Sequence, residues 1–192
     1  MVRTVSLFNT LTRAVEPVAS GDGEVRIYTC GPTVYNFAHI GNLRTFLFQD
    51  LLKRAFRAAG HDVRHCMNIT DVEDKIIRNS MAKGMTLREY TEIYEKAFLE
   101  DMATMRFLPP WKMVRATEHI DEMVEMVQKL AAKGLTYESE GSTYYRIAGF
   151  NGYGKLSHND FSGIRAGARV DVDEYDKTDA RDFVLWKQRK GD

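Results

Sequence analysis

The residues most able to do chemistry lie in one run, Tyr28-Thr-Cys-Gly-Pro-Thr-Val-Tyr-Asn-Phe-Ala-His-Ile-Gly-Asn42. His39 and Asn42 can each donate a hydrogen bond to phosphate oxygens that gain charge in a transition state. Gly41, between them, has no Cβ and so lets a ligand approach the backbone closely. A helix starting here would add unpaired N–H groups and the positive end of its dipole, both favourable to an anion. Taken alone, His39-Ile-Gly-Asn42 reads more simply as the first turn of a helix. Cys30 has the chemistry of a metal ligand, a nucleophile or a small apolar filler, and free cysteines are most often filler. No Cys-x-x-Cys is present, and His39, His61, His65, His119 and His158 show no metal-ligand spacing.

A second run, Asn68-Ile-Thr-Asp-Val-Glu-Asp-Lys-Ile-Ile77, would bring Thr70 and Asp71 beside the first if two strands are neighbours. The plainer reading makes Thr70-Asp-Val-Glu73 a capping box, with Thr70 the N-cap and Glu73, Asp74 and Lys75 a solvated first turn. Arg165, Arg169, Lys177, Arg181 and Lys187 to Lys190 make the later part locally basic, but interleaved acids favour a solvated surface over a nucleic-acid patch.

These residues need elements to position them. Val5 to Thr12 reads as an edge strand and Glu24 to Cys30 as a strand ended by Gly31-Pro32. From Asn42 to Ala59, Leu43, Phe46, Leu47, Leu51, Phe56 and Ala58 recur at helical spacing. Lys53, Arg54 and Arg57 fall mostly on the opposite side, and Gly60 stops the helix. His61 to Ile69 reads as a second strand with Cys66 in its core. Strand, turn, helix, strand is a βαβ unit, which demands parallel pairing. The turn then sits at the carboxyl end of the sheet, where open α/β sheets bind ligands. A helix follows from Thr70 to Gly84, then Thr86-Leu-Arg-Glu89 caps another to about Met105. Thr117 is expected to cap a helix that stops at Gly134. Beyond it Leu135 to Tyr137, Ser142 to Ile147, Ala168 to Val172 and Asp182 to Lys187 read as short strands, and the texture changes near Pro109 to Ala116.

Composition sets the outer limits. The 192 residues are 44% hydrophobic and 28% charged, which excludes disordered and low-complexity classes. Lys plus Arg and Asp plus Glu both number 27, so net charge gives no nucleic-acid signal. Cys30 and Cys66, far apart, are no disulfide framework and fit a reducing compartment. With no apolar stretch of membrane-spanning length, a cytoplasmic protein without membrane contact is expected.

Together these segments resemble the cysteinyl-tRNA synthetases, a class I aminoacyl-tRNA synthetase family. The resemblance is carried by Phe8-Asn-Thr-Leu-Thr12, Tyr28 to Tyr35, His39-Ile-Gly-Asn42 with Arg44-Thr-Phe46, and Asn68 to Ile77. It continues through Arg115-Ala-Thr117, Ala166-Gly-Ala-Arg-Val-Asp171 and Asp182-Phe-Val-Leu-Trp-Lys187. It implies an α/β fold: a Rossmann-type (HUP-like) parallel sheet forming the first half of a catalytic domain over residues 1–113. An incomplete, small α+β connective insertion would follow over 114–192. It further implies ATP-dependent activation of L-cysteine to cysteinyl-adenylate and transfer to tRNA(Cys). His39, Gly41 and Asn42 match the signature that handles ATP phosphates, with His39 and Asn42 as the catalytic pair. That signature commonly ends in a second histidine, whereas Asn42 is neutral. Gly31, Thr33 and Thr70 match the cysteine-binding positions, with Asp71 a weaker match. Cys30 matches a ligand of a zinc ion that holds the substrate thiolate and so discriminates against serine.

The resemblance also implies that the other zinc ligands, the Lys-Met-Ser-Lys-Ser loop and the anticodon-reading domain lie downstream of Asp192. The isolated chain is therefore expected to lack cysteine activation. Two other readings remain at this point: a cysteine ligase of low-molecular-weight thiol synthesis, and a truncated non-catalytic paralogue that binds a nucleotide, tRNA or a partner.

Overall fold

The computed structural model describes residues 2–18, 23–158 and 182–188. The sequence-predicted strand at Ala168 to Val172 and the Ala166 to Asp171 motif lie outside them. Two compact units are present, one of Met1–Leu7 with Val15–Ile120, the other of Phe8–Ala14 with Asp121–Asp192.

The chain opens with β1 (Ser6–Asn9) and β2 (Ala14–Pro17), a two-stranded sheet. The first unit is then built from β3 (Glu24–Thr29), α1 (Ile40–Ala58), β4 (Asp62–Ile69), α2 (Asp74–Ala82), α3 (Leu87–Thr104) and β5 (Lys112–Arg115). Its sheet has the order β3-β4-β5 and is parallel throughout. Val25 lies beside Val63, Ile27 beside His65, Met67 beside Met113 and Ile69 beside Arg115. The fold is the expected Rossmann-like α/β arrangement.

Strand alternation decides which face is covered. Val63, His65, Met67 and Ile69 are all buried on one face of β4, whereas Asp62 and Arg64 are exposed on the other. Near β3's start Val25 and Val63 pack with Phe56 of α1; further along, Met67 packs with Phe46 of α1 and with Phe98 and Met102 of α3. Ile69 joins Val34, Ile76, Tyr90 and Tyr94 under α2 and α3. Each fully buried aromatic or aliphatic side chain here is worth about 1.5–3 kcal/mol relative to exposure. A partly buried ion pair adds orientation: Arg115, the last residue of β5, donates to Glu95 of α3 at 2.5 and 2.9 Å, which drives the guanidinium's pKa upward.

Helix α1 departs from the pattern its sequence suggests. Its buried residues are Phe46, Gln49, Asp50, Lys53 and Phe56, so Lys53 faces inward. Leu47, Phe48 and Leu51 are exposed at 40%, 66% and 55%. The inward polar groups are paired, as buried polar groups must be. Asp50 accepts from the Leu108 N–H at 2.7 Å and from Arg54 Nε at 2.6 Å, and Lys53 Nζ donates to the Leu108 carbonyl. These bonds fasten the chain leaving α3 to α1. Burial pushes the Lys53 ammonium below its ordinary pKa, the largest of several influences on it.

Helix starts also differ. Thr86 caps α3 as expected, accepting from Glu89 N while the Glu89 carboxylate accepts from Thr86 N. Thr70 does not cap α2; Glu73 is the N-cap and makes no side-chain cap bond. Thr70 instead continues the sheet, bridging to Thr33 through Thr70 N to Pro32 O and Val34 N to Thr70 O at 3.0 and 3.1 Å. Thr117 likewise does not open a long helix. It lies in a 3-10 turn, Ala116–His119, and its backbone N–H and hydroxyl both donate to Asp71.

In the second unit α4 (Ile120–Ala132) leads to β6 (Thr136–Ser139), β7 (Ser142–Tyr145) and β8 (Phe183–Trp186). They form an antiparallel sheet in the order β6-β7-β8. Tyr137 stacks on Tyr144, and Asp182 accepts from the Ile147 N–H at 2.9 Å.

Candidate active site at the carboxyl ends of the parallel strands

The turn from Cys30 to His39 leaves β3 and enters α1, and Thr70 and Asp71 leave the neighbouring end of β4. Most of the sequence-predicted site residues therefore belong to one sheet edge.

His39 is the N-cap of α1. Its Nδ1 accepts from Gly41 N at 3.1 Å and Asn42 N at 3.4 Å, while Asn42 Oδ1 accepts from His39 N at 3.1 Å. An imidazole whose Nδ1 accepts carries its proton on Nε2 when neutral. Two first-turn N–H groups that a helix terminus would offer an anion are thus already engaged by the imidazole. What the exposed motif retains is the His39 Nε2–H and the Asn42 amide donor. A Cβ at Gly41 would stand 3.0 Å from His39 Cε1, so the glycine leaves room for the ring to fold onto the helix. The helix-turn reading is realised in these four residues, and it leaves those two donor groups outside the cap.

Cys30 is exposed and Gly31 half-buried. Gly31 N donates to Asn68 Oδ1 at 3.0 Å, and Gln49 Nε2 donates to the Cys30 carbonyl at 3.0 Å. A Cβ on Gly31 would lie 1.8 Å from the Asn68 carbonyl oxygen, so only glycine permits this approach to β4. Thr33 and Thr70 are bridge partners, and Thr70 Oγ1 accepts from Asn68 Nδ2 at 3.3 Å. Asp71, 4% exposed, gives both carboxylate oxygens to Thr117, at 3.0 Å from its N–H and 2.5 Å from its hydroxyl. That anchoring leaves Asp71 a structural tie between β4 and the 3-10 turn.

Beneath the turn, Thr29 Oγ1 donates to Gln49 Oε1 at 3.0 Å and lies 2.8 Å from His65 Nε2. Because the hydroxyl hydrogen goes to Gln49, the histidine supplies the other proton from Nε2, and its buried Nδ1 has no partner. Burial, reinforced by Lys53, holds the His65 pKa down to about 4, so the ring is neutral near pH 7. Thr29 falls within the Tyr28 to Tyr35 motif without a role assigned to it, and Gln49 and His65 carry no motif signal. Gln49 and His65 could have been suspected only as polar residues at buried positions of otherwise apolar periods.

A separate cavity of about 550 Å³ runs along α3 and the 3-10 turn, lined by Leu87, Thr91, Leu99 and Arg115 among others. None of residues 30–42 lines it. Cavity size therefore does not mark the turn, which is an open surface whose chemistry lies in its donors.

The model of the tRNA synthetases class I (C) catalytic domain matches residues 16–192. The chain is 58% identical over 184 residues to the cysteine–tRNA ligase of Solibacter usitatus (strain Ellin6076), covering 95% of this chain and 40% of that protein. It is 51% identical to the ligase of Koribacter versatilis (strain Ellin345) over 97% of this chain and 38% of that protein. The chain thus spans about two-fifths of the length of these relatives. Among solved structures, Mycobacterium tuberculosis methionyl-tRNA synthetase in complex with methionyl-adenylate matches with a TM-score of 0.56. That match has 17% identity and covers 64% of this chain and 24% of that one, a likeness of fold. From the βαβ unit, its turn and these matches, the chain belongs to the family of the tRNA synthetases class I (C) catalytic domain.

Proposed function

We propose that this chain supplies the first part of a cysteine–tRNA ligase, which activates L-cysteine with ATP to cysteinyl-adenylate and passes the cysteinyl group to tRNA(Cys). The observation that carries this is the 58% identity to such a ligase across 95% of the chain. The solved neighbour that shares the fold holds an aminoacyl-adenylate, methionyl-adenylate, in keeping with that chemistry. On this reading residues 1–113 are the first half of the catalytic domain and 114–192 a connective insertion, and the protein works in the cytoplasm. Among the described residues no helix is long and apolar enough to cross a membrane.

The mechanism needs no covalent enzyme intermediate. The cysteine carboxylate attacks the α-phosphate of ATP and pyrophosphate leaves. His39 Nε2–H and the Asn42 amide donate to phosphate oxygens as charge accumulates there, which is stabilisation by fixed donors. Gly41 keeps the imidazole seated on the helix so that Nε2, not Nδ1, is the free donor. With Nδ1 accepting from the helix, His39 acts as a neutral donor, and Asn42 is neutral as well, so both stabilise by directed hydrogen bonds rather than by charge. Gly31, Thr33 and Thr70 border the amino acid and hold it for in-line attack, the entropic part of catalysis.

Zinc would supply a soft centre for the substrate thiolate. Cys30, exposed and soft, suits one position of such a site. The described residues gather no group of three or more His, Cys, Asp or Glu able to hold a metal, so Cys30 alone does not make one.

The test is cysteine-dependent ATP–pyrophosphate exchange, followed by charging of tRNA(Cys), on the full natural polypeptide and on this chain alone. Exchange with cysteine and not serine, and charging by the full polypeptide, is the expected result. Exchange is expected to be absent from the 192-residue chain. Adenylate formation without tRNA charging, but with transfer to an amino-sugar, would replace this reading with thiol synthesis.

A further inference from the structure

The Cys30 carbonyl and the Gly31 N–H belong to one peptide unit, and each is held by a different side-chain amide. Gln49, from α1, donates to the carbonyl at 3.0 Å; Asn68, from β4, accepts from the N–H at 3.0 Å. Neither amide is free to turn over. Gln49 Oε1 accepts from Thr29, whose oxygen is in turn met by His65. Asn68 Nδ2 donates to Thr70 Oγ1. An amide with its oxygen and nitrogen both engaged has one orientation that satisfies the network.

This arrangement is more than solvation demands. Cys30 is exposed and Gly31 only half-buried, so burial alone does not require two side-chain partners. The chain instead buries Gln49 to 7% exposure on the core face of a helix and immobilises two amide side chains, which costs conformational entropy. The return is positional. A peptide plane gripped at both polar atoms cannot rotate, and the Gly31 contact with β4 blocks translation toward the sheet.

We propose that Gln49 and Asn68 are positioning residues for the amino-acid side of the reaction. By clamping the Cys30–Gly31 peptide they set the direction of the Cys30 thiol and the spacing of the Thr33–Thr70 pair. The proposal rests on the ligase reading and makes Gln49 and Asn68 part of how the site recognises cysteine. Neither touches the reacting atoms; both act through the backbone.

The test uses Gln49→Met, Asn68→Ala and Asn68→Asp, approaching the peptide from both sides. Aspartate keeps an acceptor for Gly31 N–H and loses only the donor to Thr70. Amide hydrogen exchange on this chain is read at Gly31 and at Val63 and Met67 of β4. Gln49→Met and Asn68→Ala are expected to speed Gly31 exchange about tenfold or more while β4 is unchanged, with protection restored in Asn68→Asp. In the full natural polypeptide, the same two variants are expected to raise the KM for cysteine about tenfold with the KM for ATP unchanged. A Gly31 amide that exchanges freely in the wild type, or a cysteine KM indifferent to both substitutions, overturns the clamp. If the wild-type polypeptide shows no cysteine-dependent exchange, the ligase reading fails, and the clamp itself stands or falls on the Gly31 amide.

Discussion

Replacing His39 by asparagine separates the capping that the side chain performs from the phosphate-donor role proposed for it. Asparagine is a good N-cap, so His39→Asn should leave stability within a few tenths of a kcal/mol, whereas His39→Ala should cost about 1 kcal/mol. Both variants remove the Nε2–H donor, and both should lower kcat for pyrophosphate exchange about 100-fold or more in the full natural polypeptide. Urea unfolding and exchange kinetics measured side by side would show this; full activity in His39→Asn would assign the residue to capping alone. Gly31 makes a different demand. In Gly31→Ala the new methyl meets the Asn68 carbonyl oxygen, and Met67 Cγ lies 2.7 Å away. Met67 can shift, but the Asn68 backbone is held in register with Val114 of β5. The expected loss is about 1–3 kcal/mol in urea unfolding.

Between elements, the packing of α1 on β4 contains a pH-dependent term. His65 is 2% exposed with a folded pKa near 4, against 6.5 for the free side chain. Above pH 6.5 both states leave it neutral and the full stability is present. As pH falls from 6.5 toward 4, the unfolded chain takes up a proton that the folded chain refuses, so stability declines; below 4 this term is flat. The decline approaches about 3 kcal/mol over the window. Urea midpoints taken across it should fall for the wild type and fall distinctly less for His65→Gln. Element starts show where local pattern suffices. Thr86-Leu-Arg-Glu89 forms the capping box it spells. Thr70-Asp-Val-Glu73 spells one as well, but there the backbone of Thr70 finds strand-like partners in Pro32 and Val34 and Asp71 finds Thr117. Tertiary hydrogen bonds outcompete a cap worth about 1 kcal/mol.

For the molecule as a whole, the uncovered side of the first unit matters most. Among the described residues β3 pairs only with β4. Tyr28 on β3 is 68% exposed, and Leu47, Phe48 and Leu51 form an exposed stripe on α1. The outer strand of a sheet beside exposed apolar side chains favours association. This chain on its own should therefore show a mass above 22.0 kDa that grows with concentration in sedimentation equilibrium. Phe48→Glu with Leu51→Glu should return it toward the monomer; a wild type that stays monomeric at all concentrations would contradict the prediction.

Much could be read from neighbours along the chain. The βαβ order, the turn between β3 and α1, and the helix stops at Gly60, Gly84 and Gly134 all follow from periodicity and turn residues a few positions apart. The strand β5 escaped because four residues after Pro109-Pro110 are too short to show alternation. Lys53 escaped because helical spacing places it on a face without saying whether a carbonyl waits there. The partners of the Cys30–Gly31 peptide stand 19 and 37 residues away, and Asp71 and Thr117 are 46 apart. Such pairings are made by the way the sheet and helices pack, and a hydrogen bond that depends on distant backbone meeting leaves no local mark.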